Sequence, residues 1–238
     1  MIEDEIISGR ISIGRVGIYL NAKTKGGYNI GFNFLNSPEL RTAGVCNITK
    51  DQMFIMFADF DNIGYEKLKD QLDFINRNHD VSNFLVLTTG KNRYHVISFE
   101  KFWKQELVDI LKNTFCDYTY KSFVPLKVDK GWILRVTEKR DLDNNVVKDR
   151  PEYVESFSYS EVPKRRLSRA HVEFFSRMYP EFRKFAEEKL DKNYWDEFTV
   201  IQLLKYGTSH ENLIAKFDLK DLIDSKKLEI VWKDNIFD

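Results

Sequence analysis

The chain has 238 residues, of which 42% are apolar and 31% charged, enough apolar residues for a sizeable core. Lys and Arg together number 37, as do Asp and Glu, so the formal net charge is zero. This balance excludes a uniformly basic arm and an acidic tail, although local basic patches remain compatible with it. The two cysteines, Cys46 and Cys116, are too few for a disulfide framework.

The sequence predicts neither a membrane span nor a secretory signal. Its longest strongly apolar run, residues 53–58, is far shorter than the roughly 20 residues that cross a bilayer. The acidic N-terminus lacks the basic start and apolar core of a signal peptide. Together with the low cysteine count, these features predict a cytoplasmic (intracellular) protein that does not act at a membrane.

The first half of the chain is predicted to begin with strands. Residues 8–36 carry β-branched and aromatic residues around a Lys-Gly-Gly turn, which is typical of a hairpin. After a connection over 37–50, the compact apolar run 52–60 predicts a buried strand. Residues 64–80 then place apolar side chains at helical spacing, which predicts an amphipathic helix.

The next elements complete a regular pattern. Residues 83–89 and 94–99 predict two strands around a Gly-Lys-Asn-Arg turn, and residues 100–115 predict a second helix. Residues 125–139 predict a strand with a kink at Gly131. The order strand, helix, strand, strand, helix, strand predicts an α+β fold of the RRM-like or ferredoxin-like palm type.

The last part of the chain is predicted to be mostly helical. Residues 139–166 indicate a loop-rich linker with one strand at 153–160. Helices follow from Ser168, with a break near Pro180 and three short helices within 198–225, before a final strand at 227–232. A degenerate winged helix and a small helical cap are both compatible with this pattern.

Two carboxylates end the first strand of the pattern. Asp59 and Asp61 share one face because successive strand side chains alternate, which directs Phe60 into the core. Two like charges at this place repel unless a cation joins them, and oxygen ligands suit a divalent ion. The alternative is that these residues only cap the helix that follows.

A histidine and two cations follow the tight turn. Lys91, Arg93 and His95 are expected to lie close together at the start of their strand. A histidine beside two cations suits a phosphate or another anionic substrate better than a metal ion. A half-buried strand histidine with a satisfied hydrogen bond is the alternative.

A third carboxylate, Asp129, has the same strand parity as Arg135, whereas Trp132 and Leu134 have the opposite parity. In the predicted fold this strand lies beside the strand of Asp59, which brings three carboxylates together next to Lys and Arg residues. Two-metal phosphoryl or nucleotidyl transfer requires such a combination.

These segments resemble the signature motifs of the archaeo-eukaryotic primase superfamily, which includes primase-polymerases of plasmids and viruses. FADFD, with Asp59 and Asp61, is similar to the first motif, and TTGKNRYHVIS, with His95, to the second. VDKGWILR, with Asp129 and Arg135, is similar to the third. The resemblance covers residues 53–140, and Arg93 stands where relatives often have a small residue.

The resemblance implies a DNA-dependent nucleotidyltransferase, a primase or primase-polymerase that synthesises primers on single-stranded DNA from NTP or dNTP. It implies that Mg²⁺ or Mn²⁺ is held by the catalytic residues Asp59, Asp61 and Asp129. It further implies that the nucleotide is bound by His95, Lys91, Arg93 and Arg135. A replicative helicase or other replication protein is an expected partner. We therefore expect a primase-like catalytic domain over residues 1–150, with its core at 53–140, and a mostly helical region over 151–238.

Two other functions are compatible with parts of this pattern. FADFDNIGYEKLKD also resembles the first metal motif of diguanylate-cyclase-like palm enzymes, although Gly-Lys-Asn-Arg replaces their Gly-Gly turn. A non-catalytic RRM-like replication protein needs outward aromatic residues to stack bases, whereas carboxylates are predicted here. The run Lys164, Arg165, Arg166 and Arg169 predicts either a patch that binds a nucleic-acid backbone or a solvated face.

Overall fold

The computed structural model describes residues 6–14, 17–24, 29–35, 42–49, 51–117, 121, 131–141, 143–160, 162–196, 201–206 and 210–232. These residues form an α+β structure of antiparallel and mixed sheets with packed helices. No helix among them is both long enough and apolar enough to span a membrane.

The strands of the described residues are β1 (Ile6–Gly14), β2 (Gly17–Thr24), β3 (Asn29–Leu35), β4 (Thr42–Cys46), β5 (Phe54–Asp61), β6 (Asn83–Gly90), β7 (Arg93–Phe102), β8 (Ile133–Arg135), β9 (Lys139–Arg140), β10 (Val146–Lys148), β11 (Glu152–Ser158), β12 (Ile201–Tyr206) and β13 (Leu228–Trp232). The helices are α1 (Tyr65–His79), α2 (Lys104–Lys112), α3 (Arg169–Met178), α4 (Pro180–Lys189), α5 (His210–Phe217) and α6 (Lys220–Asp224), with a 3₁₀ turn at Lys192–Tyr194.

The central sheet has the strand order β11-β6-β7-β5, and every neighbouring pair is antiparallel. β7 lies between β5 and β6, which is the arrangement of the first three strands in a split βαβ unit. The predicted buried strand, the first amphipathic helix and the β6–β7 hairpin are confirmed. Leu68, Leu72 and Ile75 form the buried side of α1, as their spacing predicts.

The second four-stranded sheet has the order β13-β12-β4-β8, and it joins the central sheet through Asn47. The fully buried Asn47 donates its side-chain amide to the Ile55 carbonyl at 3.0 Å, and its amide oxygen accepts from the Trp132 N–H at 2.9 Å. Gly131 lies directly against it with φ +67°, and a Cβ there would be 2.9 Å from Asn47 Oδ1. The predicted backbone irregularity at Gly131 is confirmed by this geometry.

The strand predicted over 125–139 is placed differently from the expectation. Its described part, β8, pairs with β4 rather than with β5, so the prediction that this segment neighbours the Asp59 strand is wrong for residues 133–135. The alternation is right, since Trp132 and Leu134 are buried and Ile133 is exposed. Residues 125–130 lie outside the described residues.

The region after residue 150 contributes strands as well as helices. β12 replaces the helix predicted there, because residues 201–206 are hydrogen-bonded between β13 and β4, and such pairing overrides local propensity. The helices α5 and α6 and the final strand are confirmed. β11 extends the central sheet, so the region predicted to begin at residue 151 shares both sheets with the chain before it.

The helices α3 and α4 follow the predicted break at Pro180 and pack on the central sheet. Phe175 and Phe182 place their rings 5.8 and 4.9 Å from that of Phe99 on β7. His171 of α3 is fully buried between Ser168 and the Cys46 carbonyl, at 2.6 and 2.8 Å. Because a carbonyl only accepts, Nε2 carries the proton and donates to Cys46, and Nδ1 accepts from the Ser168 hydroxyl.

Because this buried histidine is neutral, we predict that the free energy of unfolding falls in mild acid. Burial lowers the pKa of His171 from 6.5 to about 4, so between these values only the unfolded chain takes up the proton. The free energy of unfolding should therefore fall as pH drops from 6.5, by about 2 kcal/mol at pH 5 from this residue alone. Denaturant titrations at pH 7 and pH 5 measure this loss.

The control for that experiment is His171→Gln, which cannot titrate. Wild type and variant share all other titratable groups. The difference between their free energies of unfolding should therefore shrink by about 2 kcal/mol when the pH is lowered from 7 to 5. An unchanged difference would show that the His171 ring takes up a proton inside the fold.

Candidate active site

The register of β5 against β7 brings two acidic and two basic residues together. Asp59 lies directly opposite His95, and Asp61 lies opposite Arg93. Directly paired residues of antiparallel strands face the same side, so the four side chains share one face at the end of the sheet. Phe60 points the other way and is fully buried, as the sequence predicts.

The two carboxylates do not cap the helix that follows them. The N-cap residue of α1 is Gly64, which makes no side-chain capping hydrogen bond, and the helix starts at Tyr65. The capping alternative for Asp59 and Asp61 is therefore wrong. The Arg93 Nε lies 3.6 Å from Asp61 Oδ1.

Asp59 is in an unfavourable electrostatic position. Partial burial, followed by the charges of Asp61 and Asp117, raises the pKa of the Asp59 carboxyl from 3.8 to about 6. Lys148 and Arg93 act in the opposite direction without cancelling this shift. The fold therefore holds a carboxylate where its charge is costly, which is typical of functional sites.

His95 is buried without a full set of hydrogen bonds. Its Nε2 lies 3.8 Å from Asp59 Oδ1, too far for a hydrogen bond, and its Nδ1 is buried with no hydrogen-bond partner within the described ranges. Burial, Arg135 and Lys148 lower the pKa of His95 to about 3, so the ring is neutral at neutral pH. The alternative of a satisfied core histidine is not what the structure has, and an unsatisfied buried nitrogen costs about 1–3 kcal/mol.

A group of cations lies beside these residues. Arg135 donates to the Thr137 carbonyl at 2.6 Å and to the Asp149 carbonyl, which hold its guanidinium in place. Burial and the charges of Lys148 and Arg135 lower the pKa of Lys139, so three cations repel one another here. Neither Lys139 nor Lys148 has an ion pair with an acid in the described part of the chain. An anion would relieve this repulsion.

Two other predicted site residues, Lys91 and Asp129, are not seen beside the carboxylates in the described part of the chain. Lys91 is exposed in the β6–β7 turn, and no contact with the carboxylates is seen among the described residues. Asp129 lies outside the described residues. Two residues near the carboxylates, Asp117 and Lys148, are not among the predicted site residues. The backbone N–H of Asp117 donates to the Asp59 carbonyl at 2.7 Å. Neither follows a strand pattern or motif, so only the fold reveals them.

The acidic residues have the right chemistry for a divalent ion, because carboxylate oxygens are the ligands that Mg²⁺ and Mn²⁺ prefer. Burial and then the charges of Asp61 and Asp117 raise the pKa of Asp59, and a bound cation would offset both effects by stabilising the carboxylate. Within the described ranges no group of three His, Cys, Asp or Glu side chains is close enough to hold an ion. The third predicted ligand, Asp129, is outside those ranges.

The basic run at Lys164 is occupied within the protein. Lys164 pairs with Asp80 at 2.6 Å, and Arg165 lies between Glu100 and Glu106. The other two cations are also engaged, Arg166 with the Asn193 carbonyl and Arg169 with Glu173. These side chains therefore stabilise the fold instead of forming a patch of unpaired cations.

Comparison with known proteins gives no relative for this arrangement. The chain matches no protein-family model, no curated protein and no solved structure.

We predict that removing the charge of Asp59 stabilises the protein. Asp59→Asn keeps the shape of the side chain but removes the repulsion from Asp61 and Asp117. Because the folded-state pKa is raised, wild-type stability falls as pH rises through the interval from 3.8 to about 6, and the variant lacks this fall. At pH 7.5 without divalent ions, its free energy of unfolding should exceed that of wild type by about 1–2 kcal/mol, allowing for solvent screening.

Asp70→Asn, an exposed position on α1, is the matched control and should change stability little. Chemical denaturation of the three proteins measures the differences. If Asp59→Asn were less stable than wild type, the carboxylate would be a structural group and the interpretation of this site would be wrong.

Proposed function

We propose that this chain is a nucleotidyltransferase of the primase or primase-polymerase type, which joins nucleotides on single-stranded DNA with the help of Mg²⁺ or Mn²⁺. One observation carries the proposal: the paired carboxylates Asp59 and Asp61 lie beside a neutral, incompletely bonded His95 and a group of cations, of which Lys139 and Lys148 have no ion pair among the described residues. The resemblance of the three motifs to the archaeo-eukaryotic primases agrees with it, as does the placement of β7 between β5 and β6 in the central sheet.

The acidic side of the site would hold the metal. Asp59 and Asp61 are the ligands we assign, and Asp129 is the third ligand that the resemblance implies. Divalent ions bound there supply charge neutralisation at the reacting phosphate. Asp61 also lies close to Arg93, so it can orient this cation toward the same site.

The basic side of the site would bind the phosphates. Arg135 is held by two backbone carbonyls, so its guanidinium is positioned before any ligand arrives. Lys148 is exposed, yet its charge acts on both Asp59 and His95, which places it within electrostatic reach of both. The ring of His95 is neutral, so it can contribute a hydrogen bond to a phosphate oxygen without adding a charge.

Single-stranded DNA and NTP or dNTP are the substrates in this proposal, and a replicative helicase or other replication protein remains the predicted partner. A non-catalytic RRM-like binder is less consistent with the site, because acidic residues occupy the face where such a module needs aromatic side chains. A cyclase-type palm enzyme would use the same carboxylates without any need for DNA.

The first test is incorporation of labelled nucleotides on circular single-stranded DNA with Mg²⁺ or Mn²⁺. Wild type should form products, and Asp59→Ala should lose activity by about a hundredfold or more, since charge stabilisation at the reacting phosphate depends on this group. Asp70→Ala should keep the wild-type rate. DNA-independent products would indicate the cyclase-type reaction, and full activity of Asp59→Ala would refute the assigned site.

The second test concerns the phosphate side. Lys148→Ala should raise the KM for the nucleotide by about tenfold with a smaller effect on kcat, because one charge-assisted contact is lost. The effect should diminish at high salt, which screens an exposed charge. Lys67→Ala, an exposed lysine on α1, is the control. An unchanged KM in Lys148→Ala would remove this lysine from the nucleotide site.

A further inference from the structure

A cavity lies next to the proposed active site, between the β9–β10 hairpin, the start of β11 and the junction of α3 with α4. Its volume is about 680 Å³, which is in the range of pockets for small organic ligands. Val146, Tyr153 and Met178 provide part of an apolar wall, and Asp149, Glu152 and Glu181 bring carboxylates to the lining.

The strand register places this cavity on the same face of the central sheet as the carboxylates. Tyr153 is paired with Leu87, Leu87 with His95, and His95 with Asp59, so these residues form one row across four strands. With a spacing of about 4.8 Å between neighbouring strands, Tyr153 lies about 10 Å from His95 along the row.

Arg135 connects the cavity with the cation group. Its guanidinium donates to the carbonyl of Asp149, a residue of the cavity wall, and its charge acts on both His95 and Asp59. A ligand bound by Arg135 can therefore extend from the phosphate side of the site into the cavity.

The chemistry of the lining selects the part of the ligand that fits. Carboxylates would repel phosphates, but they accept hydrogen bonds from sugar hydroxyls and exocyclic amines. Arg150 also lies in the lining, and its Nη2 donates to the Met178 carbonyl at 2.6 Å. An apolar wall with donors and acceptors at its edges suits a flat nitrogen heterocycle.

We propose that this cavity binds the nucleoside part of a nucleotide whose phosphates lie at Arg135, Lys139 and Lys148. The inference rests on the proposed nucleotide site and adds a second, separate subsite to it. The ligand class is a nucleoside 5′-triphosphate, with its sugar and base in the cavity and its phosphates beside the carboxylates.

The β9–β10 hairpin offers a matched pair of variants. Val146 and Val147 are neighbouring exposed residues, 46% and 54% accessible, but only Val146 lines the cavity. Val146→Trp should fill part of the cavity, whereas Val147→Trp adds the same bulk outside it. Binding of ATP and of inorganic triphosphate, each with Mg²⁺, is measured by calorimetry for wild type and both variants.

Wild type should bind ATP more tightly than inorganic triphosphate, and Val146→Trp should weaken ATP binding by about tenfold or more. Its affinity for inorganic triphosphate should stay within about twofold of wild type, which also shows that the hairpin is intact. Val147→Trp should leave both affinities unchanged.

The possible failures are distinct. Equal affinity of wild type for the two probes, or an unchanged ATP affinity in Val146→Trp, would overturn the cavity inference while leaving the phosphate site in place. If Val146→Trp bound neither probe while Val147→Trp bound both, the cavity inference would also be overturned, since the substitution would then act on phosphate binding. If wild type binds neither probe, the proposed function fails together with the inference.

Discussion

The buried side chain of Asn47 is the constraint on which the geometry of the site depends. It bonds in one direction to Ile55, at the start of the strand that ends in Asp59 and Asp61. In the other direction it bonds to Trp132, at the start of the segment that ends in Arg135. The carboxylates and the fixed guanidinium therefore lie at the far ends of two strands that share one anchor. Gly131 is the consequence, because no side chain fits between it and Asn47.

Several groups of the site that Asn47 positions have unfavourable electrostatic interactions in the absence of a ligand. A partly buried Asp59 beside two other carboxylates, a neutral His95 with an unsatisfied nitrogen, and a repelling set of cations each reduce the stability of the ligand-free fold. Lys148 and Arg93 offset part of the charge of Asp59 without cancelling it. A ligand that carries phosphates together with a divalent cation would compensate both the acidic and the basic groups, which is why we prefer a nucleotide over a simple anion.

The sequence predicted what depends on local pattern. The apolar run before Asp59, the helical spacing of Leu68 and Leu72, and the tight turn before His95 each determine their own element, and all are confirmed. Long-range pairing was not predictable in the same way. Residues 201–206 have the composition of a helix, yet they form β12 because β4 and β13 lie on both sides of them.

The same limit applies to the site. The shared face of Asp59 and Asp61 follows from strand alternation, and the register adds His95 and Arg93 opposite them. Asp117 and Lys148 have no pattern that marks them, since one follows a helix and the other ends a short hairpin strand. Their role depends on charges brought together from distant parts of the chain, which only the folded structure shows.

The region after residue 150 belongs to this site and is more than a cap beside it. The ring of His171 on α3 packs against Phe57, which has the same strand parity as Asp59, so α3 covers the face that carries the carboxylates. The end of α3 at Tyr179 lies within electrostatic reach of Arg135, and β11 supplies Tyr153 to the row that contains His95. A ligand bound across this face would contact both halves of the chain. Binding and folding of the C-terminal region should therefore be coupled, because the cavity exists only where β11 and the α3–α4 junction are in place.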